Sequence, residues 1–288
     1  MSPATIRQLR DRAVAVLAAA GVPTPDVDAE LLIGHVLGVT RGEVQAAVVT
    51  DRGIESEQAD RVLELVERRA AREPLQHITG RAAFRSLELA VGPGVFVPRP
   101  ETEFVAQIAI DAAFAVPSPA PHIVDLGTGS GAIAISVATE VPHAQVTAVE
   151  MSPEAFVWAR QNVRESGADN LTLVCADLAV AVPQLDGTVD VVISNPPYIP
   201  LGAIPRDPEV RLYDPDLALY GGVDGLDVVR VLSIRAAALL RPGGLLILEH
   251  GELQGAEIRD LLAADGWLAA ATTRDLLGRD RATTALRA

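Results

Sequence analysis

The sequence predicts an α/β protein in which a small helical domain precedes a doubly wound parallel sheet. Two observations lead to this prediction. Apolar residues recur at helical spacing through residues 1–75, and short apolar strands alternate with helices from His122 onward. A length of 288 residues fits two domains, because one domain has roughly 150 residues. We expect a helical bundle at 1–75, a β-hairpin linker at 76–98 and the sheet domain at 99–288.

The composition excludes several kinds of chemistry. All 24 basic residues are Arg, so there is no lysine for a Walker-type phosphate loop or a Schiff base. Cys175 is the single cysteine, which excludes a disulfide within the chain and a cysteine zinc cluster, and we expect it to be buried. No metal-ligand cluster is visible, and no apolar run approaches the ~20 residues that span a bilayer. With its charged first residues, the chain is predicted to be cytoplasmic, without a membrane partner.

The negative charge is unevenly distributed. The formal net charge is −14; residues 1–99 hold 12 Arg and 13 acidic residues, whereas residues 100–288 hold 12 and 25. An acidic surface repels the phosphate backbone on which non-specific nucleic-acid binding depends. The charge therefore argues against direct nucleic-acid binding and is compatible with a basic protein partner, although solubility alone also explains it.

Four helices account for the first domain. The first covers residues 5–20, the second begins after Thr24, the third follows a capping box of Thr40 and Glu43, and the fourth covers residues 56–72. This bundle contains no catalytic constellation, so we expect it to pack or to recognise a partner. The fourth helix ends in three arginines that either contact a partner or lie on a solvated face: Arg68, Arg69 and Arg72.

The linker and the sheet domain follow in order. Residues 87–91 alternate at strand period, Gly92-Pro93-Gly94 predicts a turn, and residues 95–97 predict the second strand of a hairpin. A helix then runs to about residue 114. Five strands are predicted at 123–126, 146–149, 171–175, 189–194 and 245–249, with helices at 132–139, 153–166, 224–240 and 252–265 and a final antiparallel pair at 269–273 and 283–286.

Polar motifs follow the carboxyl ends of the strands, where ligands bind in such sheets. The segment from Asp125 to Gly131 reads DLGTGSG, and its glycines let the backbone approach a ligand beside the positive end of a helix. Its spacing, GxGxG, differs from the GxGxxG of dinucleotide-binding enzymes. Glu150 ends the second strand and can accept hydrogen bonds from both ribose hydroxyls. Asp177 follows the third strand and can accept from an adenine amino group, with Leu178 near the ring.

The segment Ser194-Asn195-Pro196-Pro197-Tyr198 ends the fourth strand and is the most informative part of the chain. A proline-rich turn leaving the sheet would be the simplest interpretation. Two prolines, however, fix the backbone, so that the Asn195 carboxamide oxygen and the Pro196 carbonyl converge as acceptors. Two acceptors grip a planar NH2 group, and Tyr198 offers a flat face for it. The motif therefore predicts a substrate nitrogen attached to a π-system.

Together these motifs resemble class I S-adenosylmethionine-dependent methyltransferases that act on planar nitrogens. Further stretches resemble the HemK/PrmC family, the protein-(glutamine-N5) methyltransferases of peptide chain release factors; they lie at 73–80, 97–103, 209–226 and 248–251. The resemblance covers roughly residues 75–288, and the helical domain also fits. It implies a Rossmann-like sheet, S-adenosylmethionine as cofactor with S-adenosylhomocysteine as product, and class I release factors as the protein substrate. We expect a monomer.

The resemblance also implies a role for each motif. Asp125 would lie near the cofactor ammonium, and Glu150 would hold the ribose. Asp177 and Leu178 would border the adenine; many family members carry an aromatic residue there. The methionine part would lie along Gly127, Thr128, Gly129, Ser130 and Gly131, and the glutamine amide would be gripped by Asn195, Pro196, Pro197 and Tyr198.

The sequence also suggests a mechanism. Hydrogen bonds to Asn195 and Pro196 would orient the amide lone pair at the sulfonium methyl group, with no dedicated base. We therefore expect His250 to have a structural role beside Glu249.

Four alternatives stay open. A glutamine methyltransferase of a ribosomal protein would use the same chemistry. An adenine-N6 DNA methyltransferase would use the same grip but needs a basic channel and base flipping. An NAD-dependent oxidoreductase has no use for the Asn-Pro-Pro-Tyr motif. A non-catalytic cofactor-binding scaffold would bind without turnover.

Overall fold

The computed structural model describes residues 5–288 and divides them into two compact units. One unit comprises the described residues up to Gly80 together with Arg206–Tyr213; the other comprises Arg81–Pro205 and Asp214–Ala288. We call them the helical unit and the sheet unit. No helix within residues 5–288 is long and apolar enough to cross a membrane. The same residues contain no cluster of His, Cys, Asp and Glu that could hold a metal ion.

The helical unit confirms the four predicted helices. The capping box at Thr40 and Glu43 is formed, with each residue's side chain accepting from the other's backbone N–H. Thr24 lies at the predicted N-cap, but its hydroxyl donates to Asp28 at 2.9 Å. The helices are α1 (Ile6–Ala19), α2 (Pro25–Leu37), α3 (Arg41–Val49), α4 (Ser56–Ala70), a short α5 (Leu75–Thr79) and α9 (Pro208–Tyr213). The last two were not predicted.

The arginines at the end of α4 form ion pairs, and Arg69 does not lie on a solvated face; contact with a partner stays a prediction. Arg69 is buried and pairs with Asp28 at 2.7 Å and with Glu209 of α9 at 2.8 Å. Arg72 pairs with the other oxygen of Glu209 at 2.6 Å, and Arg68 pairs with Glu73 at 2.5 Å. Burial alone would raise the pKa of Glu209, but its hydrogen bonds from the two arginines outweigh burial and lower it. These pairs place α9 in the helical unit.

A hairpin lies in the predicted linker, but it is not the predicted pairing of residues 87–91 with 95–97. Strand β1 (Arg81–Phe84) pairs with β2 (Leu87–Ala90), and residues 92–97 form no strand. Val95 and Val97 are buried because they pack beside α8 (Pro153–Ser166), where Trp158 donates to the Pro93 carbonyl at 3.1 Å. Alternating burial in this segment therefore reflects packing on a helix, and the prediction of a second strand there was wrong.

The sheet unit contains the predicted succession of strands and helices. The strands of the main sheet are β3 (His122–Leu126), β4 (Gln145–Glu150), β5 (Leu171–Cys175), β6 (Val189–Ser194), β7 (Leu240–Glu249), β8 (Leu268–Arg274) and β9 (Asp280–Leu286). Their order in the sheet is β5-β4-β3-β6-β7-β9-β8. The strands from β3 to β7 are parallel, and β9 and β8 are antiparallel to their neighbours. The helices, besides α8, are α6 (Pro100–Ala115), α7 (Ala132–Glu140), α10 (Asp216–Leu219), α11 (Asp227–Leu239) and α12 (Gly255–Ala264), with a 3-10 turn at Pro183–Leu185.

Apolar residues on both faces of the sheet form two core clusters. Along β3, Ile123 packs with α6 and α7, whereas Val124 and Leu126 pack on the opposite face with α11 and α12. This alternation is the period of a strand. Cys175 is exposed, contrary to the prediction, because β5 is the edge strand of the sheet. The doubly wound fold class is confirmed.

Candidate active site

The candidate site lies where the strand order reverses. Strand β3 lies between β4 and β6, so the chain continues to one side and later returns to the other. The carboxyl ends of β3 and β6 therefore border the crevice in which ligands of doubly wound sheets bind. The Ser194 hydroxyl, at the end of β6, donates to the Leu126 carbonyl at 2.6 Å. The glycine-rich loop and the Asn-Pro-Pro-Tyr motif consequently begin side by side.

The glycine-rich loop has a backbone that other residues adopt only with strain. Gly127, Gly129 and Gly131 have φ angles of 77°, 58° and 87°. A Cβ atom added at Gly127 or Gly129 would meet nothing within 4 Å, so the space beside both residues is open. The N–H groups of Gly127 and Thr128 both donate to the Val149 carbonyl at 2.9 Å. These bonds hold the loop against the end of β4.

Asp125 offers a buried acceptor at the start of this loop. Its Oδ2 accepts from the Thr128 hydroxyl at 2.6 Å, and its Oδ1 is buried without a hydrogen bond to any residue that the structure describes. The backbone of Ala134 in α7 and the Thr128 hydroxyl both act to lower the pKa of the carboxyl group. Burial, with a smaller effect from Glu150, raises the pKa of Asp125 to about 7. A buried carboxylate of this kind fits a cationic ligand group.

The two other predicted cofactor acids differ in their surroundings. Glu150 is buried, and its two oxygens accept from the N–H groups of Gly129 and Ser152, each at 2.8 Å. These bonds fix the carboxylate, and each oxygen keeps a lone pair for a further donor. Asp177 is exposed and accepts from the Ala179 N–H at 2.9 Å. Leu178 is half-buried and packs on the core beside α11.

The Asn-Pro-Pro-Tyr motif begins where strand pairing ends. The ladder between β6 and β7 ends at Ser194, so the carbonyls of Asn195 and Pro196 lie beyond the paired residues. The Asn195 Nδ2 donates to the Thr102 hydroxyl of α6 at 3.3 Å, and that hydroxyl donates to Glu249 at 3.2 Å. The orientation of the Asn195 carboxamide is thereby set from the protein side.

The backbone of the motif is held from behind by Gln254, the N-cap residue of α12, and by a glycine loop. The Gln254 Nε2 donates to the Tyr198 carbonyl at 2.9 Å, while its Oε1 accepts from the Gly251 N–H at 3.0 Å. A Cβ atom at Gly221 would lie 2.5 Å from the Pro197 carbonyl oxygen. One at Gly225 would lie 2.3 Å from the Tyr198 carbonyl oxygen. Any residue larger than glycine at either position would therefore force the backbone to shift.

Two ionisable residues near the motif are held neutral by burial. The pKa of Tyr198 is raised to about 12 by burial and the charge of Glu249, so its hydroxyl carries no charge. Burial lowers the pKa of His250, whose Nδ1 contacts the Gly251 carbonyl at 2.8 Å and whose Nε2 contacts the Thr283 hydroxyl at 2.8 Å. With both ring nitrogens engaged, His250 fits the structural role that the sequence predicts for it.

Sequence analysis missed three residues that support the site. Thr102 and Gln254 hold the Asn-Pro-Pro-Tyr motif as described above. Asn162 is buried on α8, accepts from the Ala90 N–H at 2.7 Å and donates to the Ser130 carbonyl at 2.9 Å. The sequence did offer a signal for Asn162. It lies at helical spacing on the same face of α8 as the buried Ala155 and Ala159, and a buried amide must find hydrogen-bond partners.

Comparisons with known proteins agree with the geometry. Family models of the PrmC N-terminal domain and of the methyltransferase small domain match residues 8–80 and 102–203. A release factor glutamine methyltransferase from Streptomyces coelicolor is 52% identical over 274 residues, covering 94% of each chain. A 4-amino-L-phenylalanine/4-methylamino-L-phenylalanine methyltransferase from Streptomyces pristinaespiralis is 40% identical, over 94% of this chain and 91% of its own length.

A solved structure of a methyltransferase from Pyrococcus furiosus is 21% identical and covers 71% of this chain and 90% of its own, with a TM-score of 0.53. It shows the same fold. The predicted class I methyltransferase fold and the predicted family are both confirmed. On the near full-length identity to its curated relatives, the chain belongs to the release factor glutamine methyltransferase family.

Proposed function

We propose that this enzyme transfers a methyl group from S-adenosylmethionine to the side-chain amide nitrogen N5 of the glutamine in the GGQ motif of class I release factors, and so modulates translation termination. One observation carries the proposal. The rigid Asn195-Pro196 segment begins beside the glycine-rich loop, since Ser194 bonds to Leu126. A planar nitrogen held by this segment therefore lies next to a cofactor held by the loop.

The cofactor fits the residues around β3 and β4. The buried Oδ1 of Asp125 is a partner for the cofactor ammonium, and the open space beside Gly127 and Gly129 accommodates the methionine part. Thr128 orients Asp125, and Ser130 lies in the same loop. The free lone pairs of Glu150 accept from the ribose hydroxyls. The adenine then lies near Asp177 and Leu178.

The substrate residues orient a weak nucleophile. An amide nitrogen delocalises its lone pair, so its attack depends on geometry. Its two N–H groups donate to the Asn195 Oδ1 and the Pro196 carbonyl, while Pro197 stiffens the turn and Tyr198 stacks on the amide plane. These bonds also stabilise the positive charge that develops on nitrogen.

S-adenosylmethionine, when bound, supplies an activated sulfonium methyl group. The nitrogen–carbon bond forms as the carbon–sulfur bond breaks, and the electron pair stays on sulfur. The methylated nitrogen then loses a proton to water.

The partner and compartment follow from this substrate. We propose that the helical unit recognises a second region of the release factor, and that the enzyme acts in the cytoplasm as a monomer without binding nucleic acid directly. The acidic surface, with a net charge of −14, supports the last point. Light scattering on the purified chain tests the oligomeric state.

A second candidate substrate is a small aromatic amine. The relative from Streptomyces pristinaespiralis is named for 4-amino-L-phenylalanine, whose NH2 group is also attached to a π-system. The same two acceptors fit such a nitrogen. The identities favour the protein substrate, because the relative from Streptomyces coelicolor named for release factor glutamine is 52% identical and the relative named for the amino acid is 40% identical.

Methyl transfer from labelled S-adenosylmethionine tests both candidates. The acceptors are a class I release factor, its Gln→Ala variant at the GGQ motif, 4-amino-L-phenylalanine, a ribosomal protein fraction and adenine-containing DNA. We expect label on the wild-type release factor alone. Asn195→Ala should abolish transfer and leave S-adenosylmethionine binding largely intact. Label on another acceptor would overturn the proposed substrate, and activity retained by Asn195→Ala would overturn the proposed grip.

A further inference from the structure

Behind Asn195 lies a chain of two hydrogen bonds that is separate from the predicted substrate contacts. Its middle member, Thr102, lies in the first turn of α6 and is 4% exposed. The Thr102 hydroxyl accepts from the Asn195 Nδ2 at 3.3 Å and donates to the Glu249 Oε1 at 3.2 Å. Glu249 lies at the end of β7 and is 2% exposed. Three separate elements therefore meet behind the substrate motif.

The direction of these bonds determines which side of the carboxamide faces Thr102. A hydroxyl has one proton, and an ionised carboxylate can only accept. The Thr102 proton is therefore committed to Glu249, and a lone pair of its oxygen faces Asn195. Only the Nδ2 of Asn195 can meet that lone pair favourably. A carboxamide rotated by half a turn would bring Oδ1 against it, and the two oxygens would repel each other.

We propose that Thr102 is a positioning residue that keeps the Oδ1 of Asn195 available to the substrate nitrogen. The inference rests on the proposed function, because Oδ1 is the acceptor that the substrate N–H needs. Without the Thr102 hydroxyl, both orientations of the carboxamide become accessible. In one of them, an NH2 group of Asn195 faces the substrate NH2 group and cannot accept from it.

The charge state of Glu249 matters for this arrangement. Burial raises the pKa of Glu249 to about 7, against the opposing effects of the Thr102 hydrogen bond and the Arg281 charge. Assays are therefore run at about pH 8.5, where the carboxylate predominates.

Two substitutions of Thr102 separate positioning from packing. Thr102→Val keeps the shape of the side chain and removes the hydroxyl, whereas Thr102→Ser keeps the hydroxyl. We expect Thr102→Val to lower kcat roughly tenfold, the factor that the loss of one oriented hydrogen bond gives. Thr102→Ser should retain kcat close to that of the wild type. The Kd for S-adenosylmethionine should stay unchanged in both variants. The Tm should stay unchanged in Thr102→Ser and fall in Thr102→Val, because the buried Glu249 loses its hydrogen-bond donor there.

Thr139→Val is a control for the loss of a threonine hydroxyl at an exposed helical position. It removes a hydroxyl from another helix of the sheet unit, where that hydroxyl donates to the Ile135 carbonyl at 2.8 Å. This variant should keep full kcat. An unchanged kcat in Thr102→Val, or an equal loss in Thr102→Ser, would overturn the proposal.

A second readout needs no methyl acceptor. The side-chain NH2 group of Asn195 gives a 1H–15N signal that is assigned by its disappearance in Asn195→Ala. Its proton exchange with water should be slow in the wild type and in Thr102→Ser, and roughly tenfold faster in Thr102→Val. Equal exchange in all three proteins would refute the role of Thr102. Wild-type protein that methylates none of the acceptors would instead refute the proposed function, and the exchange rates would still test Thr102.

Discussion

Gly225→Ala is the substitution that most directly tests how the substrate motif is held. Gly225 has a φ angle of 80°, and an added Cβ atom would lie 2.3 Å from the Tyr198 carbonyl oxygen and 2.8 Å from the Gln254 Nε2. Real Cβ atoms do not approach other atoms so closely, so either the Tyr198 backbone or the Gly225 loop must move. Because Gln254 donates to the same Tyr198 carbonyl, that hydrogen bond is strained as well.

The expected loss of stability has two parts. A non-glycine residue in the left-handed region costs about 1–2 kcal/mol, and overpacking adds about 1–3 kcal/mol. Gly266→Ala isolates the first part, because Gly266 has a similar φ of 88° but its added Cβ atom would meet nothing within 4 Å. We therefore expect Gly225→Ala to be about 1–3 kcal/mol less stable than Gly266→Ala.

The two variants should also differ in activity. In Gly225→Ala, a displaced Tyr198 should lower kcat and raise KM for the methyl acceptor, since the reaction depends on geometry. The Kd for S-adenosylmethionine should change little, because Gly127 and Thr128 are held by the Val149 carbonyl. Scanning calorimetry, calorimetric titration and steady-state methyl transfer measure the three quantities. Equal stability and equal kcat in the two alanine variants would refute the argument that Gly225 supports the motif.

Two further predictions concern buried charges. Asp125→Asn should weaken S-adenosylmethionine binding. In the wild type the affinity should fall as the pH is lowered from about 7.5 to 5.5, because a group with a pKa of about 7 is protonated, and in the variant this pH dependence should be absent. Calorimetric titration at several pH values measures both effects. Since the folded-state pKa of Asp125 lies above its ordinary value, stability without ligand is lost as the pH rises through 7, and the Asn variant should be the more stable protein at about pH 8. Glu209→Gln should destabilise the protein by about 1–3 kcal/mol because the buried Arg69 and the half-buried Arg72 lose this charged partner, while Arg69 keeps Asp28. Glu64→Gln, which breaks an exposed pair, should change stability by at most about 0.5 kcal/mol, and equal effects in thermal unfolding would contradict the burial argument.

Most elements could be predicted because their signals are local. The capping box at Thr40 and the proline at the start of α8 both depend on residues within one turn, and both elements begin where the sequence indicates. The prediction of a strand at 95–97 was wrong because an apolar residue at every second position can have two causes. Pairing with another strand and packing on Trp158 give the same pattern in sequence.

Long-range ion pairs lie beyond such local signals. Arg69 and Arg72 pair with a residue about 140 positions later in the chain. The positions of Arg69 in α4 and of Arg72 just after that helix could not distinguish a solvated face from a buried ion pair. The glycines of the 221–225 segment matched the family pattern, but the physical reason for them, contact with the Pro197 and Tyr198 carbonyls, depends on the folded chain.

The geometry of the substrate motif also limits what that motif can distinguish. In the proposed grip, two acceptors on a rigid turn hold a planar NH2 group, and such a grip does not distinguish an amide from an aromatic ring. Relatives that are 52% and 40% identical are named for a release factor glutamine and for an aromatic amine. We therefore expect residues outside Asn195–Tyr198 to decide substrate identity. Residues that orient the grip, such as Thr102, should accordingly affect kcat for either class of substrate, whereas residues that select the substrate should affect one class only.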